Sequence, residues 1–384
     1  MCKNTRAGTS GRALALTSLL FAGLIAGCEA DATGPGGEFD EEAAAADVDA
    51  VLTAIDDDIV VTLLLAAEGL ASAGGTAALM PALSASPGSG SFGALGSFGS
   101  NRLEPAASRL LPSLSPSSSS LAAEPIFPSN LLGVTFVWDG AGYAPDEALE
   151  GAPANGVRFV VYAIHPATRQ PVEPLVEVGH LDLTDEGTPS STRLGIRLVD
   201  TSGSADVELV DYFIDVSFTV TETTSTVVLA ALGFVSDGTE TLGFDLDQTL
   251  SFAQAGGGSL SVDYDFTIES SGLTLSFDAL ANFDSETETS AGIAVTLTLA
   301  QGSNAVVLDV SENALGALDG EITFNGETAI LVSGTAASPQ FTRPDGGELT
   351  AVEVQALVDI IDAVAEVLLL AEELFAPISG VLSA

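Results

Sequence analysis

Ser259-Leu260-Ser261-Val262-Asp263-Tyr264-Asp265-Phe266-Thr267-Ile268 is the stretch on which the fold turns. Leu260, Val262, Tyr264, Phe266 and Ile268 take every second position, and Ser, Asp and Thr fill the gaps. Successive side chains of an extended chain point to opposite faces, so this period of two describes a strand with one dry face and one wet face. The pattern continues in both directions. Leu242, Phe244, Leu246, Leu250 and Phe252 precede it; Leu273, Leu275 and Phe277, then Ile293, Val295, Leu297 and Leu299, follow it. The breaks at Ser236-Asp237-Gly238, Gly256 to Gly258, Ser270-Ser271-Gly272 and Gln301-Gly302-Ser303-Asn304 are short enough for hairpins, which leaves no room for parallel crossovers. An antiparallel meander over residues 131–346 is therefore expected.

Asn325-Gly326 poses a conflict within this pattern. It is a strong two-residue hairpin signal, yet it would set Phe324 opposite Glu327 on a shared face. The apolar phase of Ile322, Phe324, Ile330 and Val332 instead runs unbroken through the glycine, as in one long bent strand. The sequence supports both readings equally.

Outside residues 131–346 the period changes. Val48, Leu52, Ile55, Ile59, Leu63, Ala66 and Leu70 recur at three and four, which predicts an amphipathic helix over 44–71. Residues 72–130 are dominated by Ser, Gly, Pro and Ala and read as a connector, or alternatively as a strap along the main domain. Thr350 and Glu353 form a capping box ahead of Leu357, Ile361, Val364, Leu368 and Phe375, and Pro377 ends the run. A second amphipathic helix over 347–376 is expected to lie on the sheet or to pair with the first. The fold class is thus mainly β: a large curved antiparallel meander sheet, half-barrel or sandwich-like, covered by N- and C-terminal amphipathic helices.

Charge excludes one large class of function. Against 53 Asp and Glu stand 10 Lys and Arg, a formal charge of −43 over 384 residues, so a polyanion is repelled and no nucleic acid is expected as a partner. Between Arg197 and Arg343 there is no cation, although Asp211, Asp215, Asp245, Asp247, Asp263, Asp265, Asp278 and Asp309 all fall there. Like charges on neighbouring strands oppose folding, and something must screen them. Asp245 with Asp247, or Asp263 with Asp265, offers oxygen ligands on one strand face, but nothing has an EF-hand spacing. No dedicated cofactor or metal site is expected, only a non-specific dependence on Ca²⁺ or salt.

The start of the chain carries an address. Lys3, Arg6 and Arg12 precede a short apolar run from Ala13 to Gly27, the layout of a secretory signal and too short for a membrane span. Leu24-Ile25-Ala26-Gly27-Cys28 then resembles the lipobox of bacterial lipoproteins, with Ile25 where Leu is commonest. The resemblance covers only the leader. It implies a signal peptide over 1–27, lipidation of Cys28, and a membrane partner reached through palmitate-like acyl chains, each methylene contributing about 0.8 kcal/mol when buried. Residues 28–43, acidic and Gly-rich, then form a membrane spacer. Glu29 follows the Cys; by similarity to enterobacterial lipoproteins, where Asp there favours the inner membrane, the cell envelope's outer membrane is the expected location. Cys2 leaves with the leader, so no internal disulfide is expected.

Chemistry-bearing constellations are sparse. His165 and His180 have no Cys or second His at ligand spacing, and no Ser sits in a nucleophile-elbow pattern. An enzyme is not expected, and no catalytic residue is assigned. The segment from Gly133 to Asp200 differs from the rest in holding Trp138, both His and Arg158, Arg169, Arg193 and Arg197. These arginines are expected to pair with the protein's own carboxylates rather than with an acidic partner. The expected function is a non-catalytic structural or binding β domain on a membrane anchor. A curved sheet around a helix is also similar in architecture to periplasmic half-barrel lipid carriers, which implies a lipid or other hydrophobic ligand as an alternative partner. An outer-membrane β-barrel is the third alternative, opposed by the missing Trp and Tyr girdles and the helical end of the chain.

Overall fold

The computed structural model describes residues 125–350, apart from 166–167, 169, 189, 254–255, 285–288 and 336–337, together with Ala371, Leu374 and Phe375. Seventeen strands occur in it: β1 (Val134–Trp138), β2 (Tyr143–Asp146), β3 (Gly156–Tyr162), β4 (Ile164–His165), β5 (Gln170–Pro171), β6 (Glu177–Asp185), β7 (Ser191–Asp200), β8 (Val207–Val220), β9 (Thr224–Ser236), β10 (Thr241–Ala253), β11 (Gly258–Ile268), β12 (Leu273–Asp284), β13 (Thr289–Gln301), β14 (Asn304–Asn313), β15 (Ala317–Phe324), β16 (Glu327–Thr335) and β17 (Ser338–Thr342). Fifteen of them share one sheet in the order β17 through β6 and then β3, β1 and β2, while β4 and β5 pair separately. From β6 to β17 each strand pairs antiparallel with its neighbour in sequence, and the four short breaks read from the sequence are hairpin turns.

The sheet is mixed rather than purely antiparallel, because β1 runs parallel to β3 with Phe136 in register with Phe159. The expectation that parallel pairs lacked room overlooked that a short return strand can replace a helical crossover. Here β2 hydrogen-bonds to the outer side of β1, brings the chain back to its starting end, and lets β3 enter on the other side. Phe136, Phe159, Tyr143 and Trp138 pack ring on ring where this happens, with Phe136 and Phe159 centroids 4.8 Å apart and Tyr143 edge-on to Phe159 at 5.2 Å. Such contacts add about 0.5–1.5 kcal/mol each beyond the area they bury.

Register makes the period of two visible across the whole sheet. Leu194, Ile214, Ala231, Leu246, Tyr264, Phe277, Leu297, Leu308, Ile322 and Ile330 form one cross-strand row from β7 to β16. All ten are buried. A flanking row carries Tyr212, Phe244, Phe266 and Leu275, with Gly233 between Tyr212 and Phe244. Gly233 has φ +153°, and a Cβ there would stand 2.2 Å from the Asp211 carbonyl, so no other residue fits this close approach.

The Asn325-Gly326 conflict resolves as a hairpin, not as one bent strand. Asn325 and Gly326 have φ of 50° and 83°, both positive as a type I′ turn requires. Phe324 does face Glu327, at the cost the pattern foretold, but the register shifts immediately beyond Thr323 and Thr328. Ala329 is the extra residue, and the bulge returns Ile330 to the apolar face opposite Ile322.

The core also reaches outside the expected boundaries. Ile126 and Phe127, assigned from sequence to the connector, are buried, and the Ile126 N–H donates to Asp185 Oδ2 at 3.0 Å. At the other end Ala371, Leu374 and Phe375 are helical and buried in the same cluster. The Phe375 ring lies 6.4 Å from that of Tyr264, and the Tyr212 hydroxyl donates to the Leu374 carbonyl at 3.3 Å. The rest of the 347–376 helix beyond residue 350, the 44–71 helix, most of the connector, the spacer, the leader and Cys28 lie outside the described residues.

Candidate functional site

The face of the sheet opposite the core divides into two electrostatic zones, each set by register. On β3, β6, β7 and β8, Arg158, Asp182, Arg197 and Asp211 follow one another in a single cross-strand row of alternating sign. Arg158 clamps Asp182 with two parallel bonds, Nε to Oδ1 at 2.6 Å and a terminal nitrogen to Oδ2 at 2.7 Å. This is the fork geometry in which Arg and carboxylate match best, and Asp182 is buried beneath it. Arg193 bonds Asp215 at 2.8 Å and also lies over the Phe213 ring, its Cζ 4.2 Å from the centroid. Arg197 pairs with Glu208.

The arginines thus meet the protein's own acids, as the balanced local charge foreshadowed. Arg169 lies outside the described residues. His180 sits on the same face with its Nε2 3.8 Å from Asp182 Oδ2. Burial holds its pKa below the usual imidazole value, with Arg158 adding to the effect and Asp182 working against it. His165 lies in β4, exposed and on a different sheet, so the two histidines are not brought together.

Beyond β9 the outer face changes character. Asp245 faces Asp265, and Asp247, Asp263 and Asp278 face one another across β10, β11 and β12. The like-charge opposition inferred from the sequence is therefore real, and its register could be found because each pair is two residues apart on a strand of fixed phase. Burial, then Asp278, Asp265, Asp247 and Asp245, push the Asp263 carboxyl above the ordinary value. Burial and then Asp245 do the same to Asp247. The Ser276 hydroxyl donates to Asp265. Farther along, Asp309 faces Glu321. Among the described residues no group of three or more His, Cys, Asp and Glu side chains is placed to share a metal ion.

Strand β9 separates the zones and is apolar on both faces, a feature the sequence reading passed over. Its signal is the run Val227-Val228-Leu229-Ala230-Ala231-Leu232, in which no alternation exists. Val228, Ala230, Leu232 and Phe234 fall on the outer face, where Leu232 opposes Phe213 on one side and Asp245 on the other. Leu232 is 43% exposed, between the Phe213 ring and the Asp245 carboxylate.

Among the described residues no helix is long and apolar enough to cross a membrane. No family model, no curated protein and no solved structure matches the chain.

Proposed function

We propose that this is a lipid-anchored protein of the cell envelope whose β domain has a non-catalytic structural or binding role. The observation that carries the reading is the leader: Lys3, Arg6 and Arg12, a short apolar run, and Leu24-Ile25-Ala26-Gly27-Cys28. Acylation at Cys28, a spacer over 28–43 and a sheet with one wet face support a reading in which the domain stands in water beside the bilayer, toward the outer membrane.

The geometry supports a structural role for the polar groups, since Arg158, Arg193 and Arg197 are each engaged by internal carboxylates. It also supports the C-terminal helix as a cover for the apolar face. Leu349 packs on the core next to the Thr342–Glu348 bridge at the β17 edge, and Ala371, Leu374 and Phe375 meet the core around β8 and β11.

Metabolic labelling with a palmitate analogue tests the anchor. The full chain takes the label and partitions with membranes, and Cys28→Ala abolishes both; an unlabelled, freely soluble wild-type protein overturns the reading. A hydrophobic-ligand carrier is the second reading, favoured by Val295, Leu299, Val306 and Val310, which sit on the apolar face but are only partly buried. Lipid in organic extracts of purified protein supports it, and a lipid-free protein rejects it. The barrel alternative fits less well, because a membrane barrel turns its apolar face to lipid, whereas on that face here the Phe375 ring lies beside Tyr264 and the Tyr212 hydroxyl bonds the Leu374 carbonyl.

A further inference from the structure

Strand β9 carries an apolar stripe on the wet face of the sheet: Val228, Ala230, Leu232 and Phe234, with Leu232 exposed and the other three half-buried. Carboxylates stand on both sides of it. Asp211 and Asp215 of β8 are in register with Phe234 and Ala230, and Asp245 and Asp247 of β10 with Leu232 and Ala230. Arg193 takes up Asp215 and also covers the neighbouring Phe213 ring. Among the described residues no Lys, Arg or His forms an ion pair with Asp211, Asp245 or Asp247. Burial and then a neighbouring acid, Glu208 for Asp211 and Asp245 for Asp247, hold these two carboxyls above the ordinary value, and Arg197 offsets this at Asp211 only in part. A further cation beside either is therefore favourable.

We propose that the stripe is the docking surface for a basic amphipathic helix of a partner protein, its apolar face on Val228, Ala230, Leu232 and Phe234 and its Lys or Arg side chains on the carboxylates at either side. Backbone pairing fixes the form of the partner. Strand β9 is hydrogen-bonded to β8 along one edge and to β10 along the other, so no strand can be added there. What docks must satisfy its own backbone groups, as a helix does. The dimensions agree. Six steps of strand from Val228 to Phe234 span about 20 Å, the length of about thirteen helical residues. Strands β8 and β10 lie about 10 Å apart, about the width of a helix, so cations on its two flanks reach both carboxylate rows at once.

Charge selects this occupant over others. A second copy of the chain would set Asp211, Asp245 and Asp247 against their own like, and an anionic lipid surface or a nucleic acid is repelled in the same way. A wholly apolar ligand would cover the carboxylates without pairing them. The cations must come from outside this part of the sheet, since residues 198–342 contain none. The proposal goes beyond the anchored reading and does not depend on acylation of Cys28.

Photo-crosslinking tests it. The probe is a Leu/Lys peptide of about fourteen residues, with Leu at every third or fourth position, Lys between, and one photoreactive leucine analogue. On the full chain in a mild non-ionic detergent, its cross-links are expected to map to residues 228–234. Leu232→Ser lowers their yield about three- to tenfold. Asp245→Asn with Asp247→Asn lowers it by about the same factor at low salt, whereas Asp309→Asn with Glu321→Gln, which removes equal charge from β14 and β15, changes it less than about twofold. A peptide of the same composition, its order scrambled so that no apolar face exists, cross-links more weakly to the wild type, a comparison that stands even if Leu232→Ser loses stability. Absence of cross-links, cross-links spread over the whole acidic face, equal effects of the two acid pairs, or equal yields from the two peptides overturn the proposal. So does a dimer in sedimentation that Leu232→Ser dissociates, which places a second copy on the stripe.

Discussion

Asp263→Asn is predicted to stabilise the protein, although it alters a well-ordered strand and adds no contact. Asp263 faces Asp247 on one side and Asp278 on the other, with Asp245 and Asp265 one step away. A like-charge pair directly opposite across a sheet costs roughly 0.2–1 kcal/mol. Two such pairs sum to about 0.4–2 kcal/mol, and solvent screening of these exposed groups trims this to about 0.3–1 kcal/mol at low ionic strength. For a domain of this size that is about 1–4 °C in melting temperature.

The pH dependence has a definite sign. The folded-state pKa of Asp263 is raised above the unfolded value, so its share of stability is fully present below the unfolded pKa and is lost as pH rises through the folded one. The wild type therefore lags the variant at neutral pH, and the gap closes on acidification toward the carboxylate range. It also narrows in about 1 M salt. Calorimetric melting of both proteins against pH and NaCl measures this. A variant that melts at or below the wild type at neutral pH and low salt, or a gap indifferent to salt, refutes the electrostatic reading of the outer face.

Other perturbations separate the remaining interactions. Arg158→Gln leaves Asp182 charged and buried, and its cost is about 2–3 kcal/mol, whereas Arg197→Gln, from a pair whose side chains are 49% and 40% exposed, costs under about 1 kcal/mol; denaturant midpoints rank them. Deleting Ala329 removes the extra residue and leaves a regular hairpin in which Ile330 still opposes Ile322, so urea unfolding is expected to show a change within about 1 kcal/mol, and a larger loss would contradict the bulge. Tyr212→Phe forfeits the bond to the Leu374 carbonyl, about 1 kcal/mol, and should speed amide exchange over residues 371–375 more than in β11.

What could be read in advance followed from how long a pattern persists. Strands β10 to β14 each hold several alternations, so face, register and the opposition of Asp247, Asp263 and Asp278 all came from one phase and four short turns. The arginine pairs were foreshadowed by local charge balance, but which acid each would meet was not, because Arg158 and Asp182 are neighbours only through pairing of distant segments. Strands β1 and β2 are too short to show a period, and their parallel arrangement with β3 is a topological choice that alternation does not encode. The Ala329 bulge was invisible for a related reason, since two strong local rules disagreed and only the partner strand decides which bends. The two apolar faces of strand β9 were passed over because its central position in the sheet depends on pairing at both edges.

The central claim is that one side of the sheet is sealed and the other wet, and cysteine scanning along β11 in a background with Cys2→Ser and Cys28→Ser tests it most directly. Single cysteines at Ser261, Asp263, Asp265 and Thr267 are predicted to react with a water-soluble maleimide rapidly in the folded protein, and those at Val262, Tyr264 and Phe266 only after unfolding. Equal reactivity at neighbouring positions, with no period of two, would contradict it.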